Sequence, residues 1–204
     1  MSSTLRTLLL LTTLLLPQIA SAHSPVKGIG DFLNGMLHPL LVPAQVLILL
    51  ALGLSYGQHQ PSKQKTLVLL FLLATISGLA VSGFNPLINS DNLALLLLIS
   101  TAILGLLIIS NLSLPQPVFI VLGLVAGFLT GLDSAQETLT GKAKLAALFG
   151  SGVGIYFLLL YAMALSESLS KKHWQTIAVR VLASWVSASA LMVLALHFSG
   201  RTGL

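Results

Sequence analysis

The run LALLLLISTAILGLLIIS, at residues 93–110, contains no charged side chain. An α-helix needs about 20 mainly apolar residues to cross the hydrocarbon core of a bilayer, which is about 30 Å thick. Five further segments approach or exceed that length, so the sequence predicts an all-α, polytopic bundle of six transmembrane helices. The other predicted spans are Pro39–Tyr56, Thr66–Phe84, Pro115–Leu132, Leu145–Leu165 and Ile177–Phe198.

The composition agrees with a membrane protein and excludes several other classes. Of the 204 residues, 55% are hydrophobic and 7% are charged, which excludes a soluble globular domain. The basic residues lie mainly in short segments between apolar runs and form no patch interleaved with aromatic residues, so no nucleic-acid partner is expected. The absence of cysteine excludes disulfides, thiolate nucleophiles and cysteine-based metal sites.

Residues 1–22 have the organisation of a secretory signal peptide. A positive region ending at Arg6 precedes the apolar segment Leu8–Leu16, and the small residues Ala20–Ala22 follow. The apolar segment is short for a membrane span, which favours cleavage over the alternative of an uncleaved first helix. The expected mature chain begins at His23.

The charges of the loops predict the orientation of the six-helix transmembrane domain, residues 23–204. Cleavage of the signal places the mature N-terminus outside. The segments Gly57–Lys65 and Ser166–Trp174 then face inward with two lysines each, while Asn85–Asn92 faces outward with no base. The outward segment Asp133–Lys144 is mixed, because it contains two lysines. We therefore expect a bacterial inner (cytoplasmic) membrane protein with both mature termini on the periplasmic side.

Glycines at helical spacing predict close helix packing. Small residues let helix backbones approach each other in membranes, whatever the function of the protein. Three of them recur at every fourth residue of the fourth span, which we expect to be central, and three more open part of the fifth. They are Gly123, Gly127, Gly131, Gly150, Gly152 and Gly154.

Polar residues precede the first span. Asp31, Asn34 and His38 stand at i, i+3 and i+7, so they share one face of a helix, with apolar residues on the opposite side. The pattern predicts a short amphipathic helix at the outer surface, with Asp31 as its N-cap. The alternative is a cap and an interfacial histidine with no ligand role.

A second polar group follows the fourth span. If the helix continues past Leu132, Thr130, Asp133, Ser134 and Glu137 fall on one side, and two carboxylates lie at the outer mouth. The alternative is a solvated loop edge. His197, near the outer end of the sixth span, could join them or be an ordinary helix-end residue.

The mature N-terminus offers a further ligand. His23 would present an amine and an imidazole together, a pair suited to copper or nickel. Nitrogen and carboxylate ligands as a set suit nickel, cobalt, copper or zinc better than magnesium or calcium.

At these residues the chain resembles the HupE/UreJ family. The stretch FLNGMLHPL at residues 32–40, followed by ALGL at residues 51–54, looks like the start of these proteins. They are small membrane proteins with a cleaved signal, linked to hydrogenase and urease maturation and regarded as nickel or cobalt permeases. Signal, length and number of spans agree over nearly the whole chain.

The first family motif reads approximately H-P-L-x-G-x-D-H, and the chain keeps the first three residues, beginning at His38. The glycine, the aspartate and the second histidine are replaced by Val42, Ala44 and Gln45.

The later motif, approximately H-G-x-A-H-G-x-E, falls on residues 130–137. Gly131 and Glu137 fit it, whereas Thr130 and Ser134 occupy histidine positions. The resemblance therefore carries over His38 and Glu137 as site residues, and helical geometry adds Asp133, Asp31 and His23.

Two functions follow from this comparison. The first is a divergent permease for a nickel, cobalt or copper ion, which would be cargo rather than a cofactor. The second is a non-transporting accessory subunit that packs against a larger membrane protein complex. The partners expected are the lipid bilayer and either another membrane protein or further copies of the chain. No enzymatic activity is expected, because no nucleophile–base pair is apparent.

Overall fold

The computed structural model describes residues 28–59, 64–84, 90–110, 115–136, 139–169 and 173–201. The described residues form seven α-helices and no strand, which confirms the all-α prediction for this part of the chain. The predicted signal peptide, His23 and Glu137 lie outside it. The helices are α1 (Asp31–Leu41), α2 (Pro43–His59), α3 (Gln64–Phe84), α4 (Ser90–Ser110), α5 (Gln116–Leu132), α6 (Gly141–Ser168) and α7 (His173–Arg201).

The helices agree in position with the six predicted spans but differ in length. Four of them, α3, α4, α6 and α7, are long and apolar enough to cross a membrane. The pair α1 and α2 passes the same test together, with a bend of 72° between its members. The helix at the fourth predicted span, α5, has 17 residues and is shorter than the other candidates. The described residues thus contain four candidate spans, or five with the bent pair, and the count of six stays a prediction.

The bend between α1 and α2 follows from two prolines. Val42 precedes Pro43 and has an extended backbone (φ −95°, ψ 108°), as expected because proline disfavours the helical conformation of the residue before it. Pro39 lies inside α1 and has no N–H to donate to the carbonyl of Gly35. Ser151 of α6 donates its hydroxyl to that carbonyl at 3.1 Å. The neighbouring helix therefore satisfies the backbone group that proline leaves open.

Close packing against α6 determines the position of α1. A side chain at Gly35 would overlap the backbone of Ala147, and side chains at Gly150 or Gly154 would overlap the backbone of α1. The packed face of α1 thus contains Gly35 and His38, while Asp31 is exposed. The expected N-cap role of Asp31 is wrong: Gly30 is the N-cap residue, and Asp31 begins the helix and complements its dipole.

The centre of the bundle is α2, and the prediction that the fourth span is central is wrong. α2 contacts each of the other described helices, and its side chains Ile48, Leu49 and Leu52 are fully buried. α5 instead packs mainly along α3. The glycines of α5 do have the packing role expected of them, because Gly127 and Gly131 lie directly against the α3 backbone.

Basic side chains bind the carbonyl ends of two neighbouring helices. Arg180 of α7 donates from Nε and Nη2 to the carbonyl of Ile109, at 3.1 and 2.6 Å, in the last turn of α4. Lys144 of α6 donates to the carbonyl of Gly83 at 2.9 Å, near the end of α3. The last carbonyls of a helix lack partners within it, and cations complement its negative end. Lys144 therefore has a structural reason to lie in the mixed outer segment.

We predict that Arg180→Met lowers the free energy of unfolding by about 1.5–3 kcal/mol, the usual contribution of hydrogen bonds to a charged group. Arg180→Lys retains a donor and is expected to lose less. Thermal denaturation in mild detergent measures both, with Lys65→Met as a control that removes an exposed lysine. Equal melting temperatures for Arg180→Met and the wild-type protein would contradict this cap.

Candidate functional site

The structure brings the two polar segments around residues 38–45 and 130–134 into direct contact. Gln45 of α2 donates from Nε2 to Oδ2 of Asp133 at 2.8 Å, across 88 residues of sequence. Asp133 directly follows α5, and its backbone N–H bonds to the carbonyl of Leu129 at 3.0 Å. The end of α5 therefore places a half-buried carboxylate against the buried core of α2.

Gln45 has one polar atom without a partner. Its side chain is 0% exposed, and Oε1 is buried with no hydrogen-bond partner among the described residues. A carboxylate can only accept, so the amide nitrogen must face Asp133, and this contact assigns the oxygen to the other position. Leaving a buried acceptor unsatisfied costs about 1–3 kcal/mol. The site thus combines a carboxylate with a buried, unpartnered amide oxygen.

Two hydroxyls occupy the positions where the later motif has histidine. Thr130 Oγ1 donates to the carbonyl of Ala126 at 2.8 Å, and Ser134 Oγ donates to the carbonyl of Thr130 at 2.7 Å. Both side chains are buried. Each hydroxyl donates its proton to a backbone carbonyl four residues earlier, and its oxygen can still accept a hydrogen bond.

The five residues predicted to bind metal have different outcomes. His38 is buried on the packed face of α1, Asp31 is exposed at its start, and Asp133 meets Gln45. His23 and Glu137 lie outside the described residues. Within the described part of the chain, no three His, Cys, Asp or Glu side chains lie close enough together to hold a metal ion. The proposed ligand set therefore stays a prediction.

The packing of the helices does not group His197 with Asp133. It lies on α7, which packs mainly on α4 and on α2, whereas Asp133 ends the helix that packs on α3. Its imidazole contacts the ring of Phe198 edge-on, with 5.9 Å between the ring centroids. Its expected alternative role as a helix-end residue agrees with this position.

Gln45 is the residue that sequence reasoning undervalued. It counted only as a replacement for a motif histidine, although it is the one amide within the apolar run between Pro43 and Tyr56. Polar side chains inside membrane segments are expensive and mark functional positions. The cost of burying an amide in the membrane could have marked Gln45 from the sequence. Nothing in the sequence indicated that its partner is Asp133, 88 residues away.

The comparison with known families agrees with these segments. The family model described as HupE / UreJ protein matches residues 10–194, which include both motif regions. The chain belongs to the HupE/UreJ family. No curated protein and no solved structure matches it. As a HupE/UreJ protein with several apolar helices, it is a multi-pass membrane protein of an accessory or transport type.

Proposed function

We propose that this HupE/UreJ protein is a divergent permease for divalent transition-metal ions, with nickel and cobalt as the first candidates. The observation that carries the proposal is the hydrogen bond between Gln45 and Asp133. It joins the two motif regions of the family at one partly buried point, where a carboxylate lies. An ionisable group in a membrane bundle is expensive, so it marks a pathway or a site by default.

The proposed roles follow from the position of each residue. Asp133 supplies negative charge that offsets the cost of partly dehydrating a cation, and Gln45 holds the carboxylate in place. His38 and Glu137 are proposed as additional ligands. Asp31 and His23 are proposed to attract the ion at the periplasmic surface of the inner membrane.

Weak binding suits this task. Conduction requires a site that is favourable enough to enter and weak enough to leave. A site in which few ligands are charged meets both conditions better than a tightly chelating cluster would.

Uptake into proteoliposomes tests the proposal. We predict that Asp133→Asn reduces the initial rate of nickel or cobalt uptake at least about tenfold, the lower range for losing support of a metal site. The substituted side chain still accepts a hydrogen bond from Gln45, so the contact is retained while the charge is lost. Glu137→Gln and His38→Ala are expected to reduce uptake as well.

Glu167→Gln is the matched control, because Glu167 is an exposed carboxylate near the end of α6. Its uptake should equal that of the wild-type protein. If wild-type vesicles take up no more metal than empty ones, the permease proposal fails. Co-purification with a stoichiometric membrane partner would then favour the accessory function.

A further inference from the structure

We infer that the pair formed by Gln45 and Asp133 binds a hard, oxygen-preferring divalent cation of the Mn²⁺ or Mg²⁺ type. This inference goes beyond the proposed function, because it assigns a different class of ion to this point of the bundle and does not depend on uptake of nickel or cobalt. It stands on the buried amide oxygen, on the carboxylate beside it and on the chemistry of the surrounding side chains.

The amide oxygen is held in a position to act as a ligand. Gln45 is fully buried, and its Nε2 is fixed by the 2.8 Å bond to Asp133. Oε1 sits on the same amide carbon and has no partner among the described residues. A carboxylate has about four lone-pair sites, so it can accept hydrogen bonds and still bind a cation. An amide whose oxygen has no partner thus adjoins a carboxylate at the end of α5.

The candidate donors at Gln45 and Asp133 are oxygen atoms, and His38 is not part of this cation site. Thr130 and Ser134 donate their protons to backbone carbonyls, so their buried oxygens can act only as acceptors. Together with Gln45, they occupy the three positions where the family motifs have histidine. A histidine site that had simply decayed could have filled these positions with apolar residues. Here each imidazole nitrogen is replaced by an oxygen, and Asp133 adds a carboxylate.

Oxygen donors select a different group of metals from imidazole. Carboxylate, carbonyl and water ligands suit Mg²⁺, Ca²⁺ and Mn²⁺, whereas imidazole suits nickel, copper and zinc. Mg²⁺ keeps several waters and is held by one or two carboxylates, so a small set of protein ligands is sufficient. A partly hydrated ion at Asp133 and Gln45 fits this description.

Metal titration of the full-length protein in mild detergent tests the inference. Mn²⁺ binding is followed by the loss of the free-ion signal in electron paramagnetic resonance, with Mg²⁺ as competitor, and Ni²⁺ binding by calorimetry. We expect Gln45→His to raise Ni²⁺ affinity about 10- to 100-fold and to weaken Mn²⁺ binding, because an imidazole returns to the site. Asp133→Asn is expected to weaken both metals.

Gln116→His is the control for unspecific binding by an added histidine, since Gln116 begins α5 at the opposite end from Asp133. It should leave both affinities unchanged. Gln45→Leu serves if Gln45→His does not remain monodisperse, and it should weaken Mn²⁺ binding without improving Ni²⁺ binding.

The outcomes separate the inference from the proposed function. Mn²⁺ binding that depends on Asp133 and Gln45 supports the inference even if vesicles show no uptake, a result that would sink only the permease. Absence of Mn²⁺ binding overturns it, and the amide oxygen would then be satisfied by water. It is equally overturned if Gln45→His leaves the ratio of the Ni²⁺ and Mn²⁺ affinities unchanged.

Discussion

Replacing Gly78 of α3 with alanine is expected to lower the free energy of unfolding by about 1–3 kcal/mol, the usual cost of overpacking. A Cβ at this position would overlap the carbonyl oxygen of Phe128. It would also lie 3.0 Å from the nitrogen of Leu132 and 3.1 Å from Cα of Gly131. All three are backbone atoms of α5, which cannot rotate away as a side chain can. The two helices must separate, and the whole α3–α5 interface loses contact.

Gly83→Ala provides the matched control on the same helix. A Cβ there meets only Cδ1 of Leu148, at an ordinary 3.5 Å. Alanine is favoured over glycine within a helix by about 1 kcal/mol, and this gain applies to both substitutions. The difference between the two melting temperatures in detergent therefore isolates the packing term. Equal melting temperatures would show that α3 and α5 do not approach as closely as described.

Gly123→Ala is expected to have a comparable effect through a different contact, and one that a second substitution can relieve. Tyr56 of α2 donates its hydroxyl to the carbonyl of Phe119 at 3.1 Å. That carbonyl lies one helical turn before Gly123, and a Cβ on Gly123 would overlap the tyrosine oxygen. The glycine thus forms the notch through which the hydroxyl reaches the α5 backbone.

Tyr56→Phe removes the obstructing oxygen, after which the nearest ring atom is Cζ, at 3.2 Å from the added Cβ. We therefore expect the double variant to be more stable than the sum of the single effects indicates, by about 0.5–3 kcal/mol, the range for residues in direct contact. Thermal denaturation of the wild-type protein, the two single variants and the double variant completes this double-mutant cycle. Additive effects would mean that Tyr56 and Gly123 do not meet.

The site was less accessible to prediction than the helices. The carboxylate of Asp133 could be proposed from its place after the fourth span, since helical spacing relates neighbours in sequence. Its contact with Gln45 could not be proposed, because α2 and the end of α5 are joined by no local pattern. The N-cap is Gly30 rather than Asp31, and its backbone has a φ of 80°, a conformation that glycine adopts readily.

The sequence by itself determined that this chain is an all-α membrane protein of the HupE/UreJ type, because apolar run length and short motifs are properties of consecutive residues. Only the tertiary structure decided that α2 is central, that α1 packs on α6, and that Arg180 and Lys144 bind the ends of other helices. It also decided that Gln45, rather than a histidine, meets Asp133. The apolar helices of a membrane protein are nearly uniform in hydrophobicity. Which helices pack together therefore depends on glycines that allow close approach and on the few polar groups that form hydrogen bonds between helices.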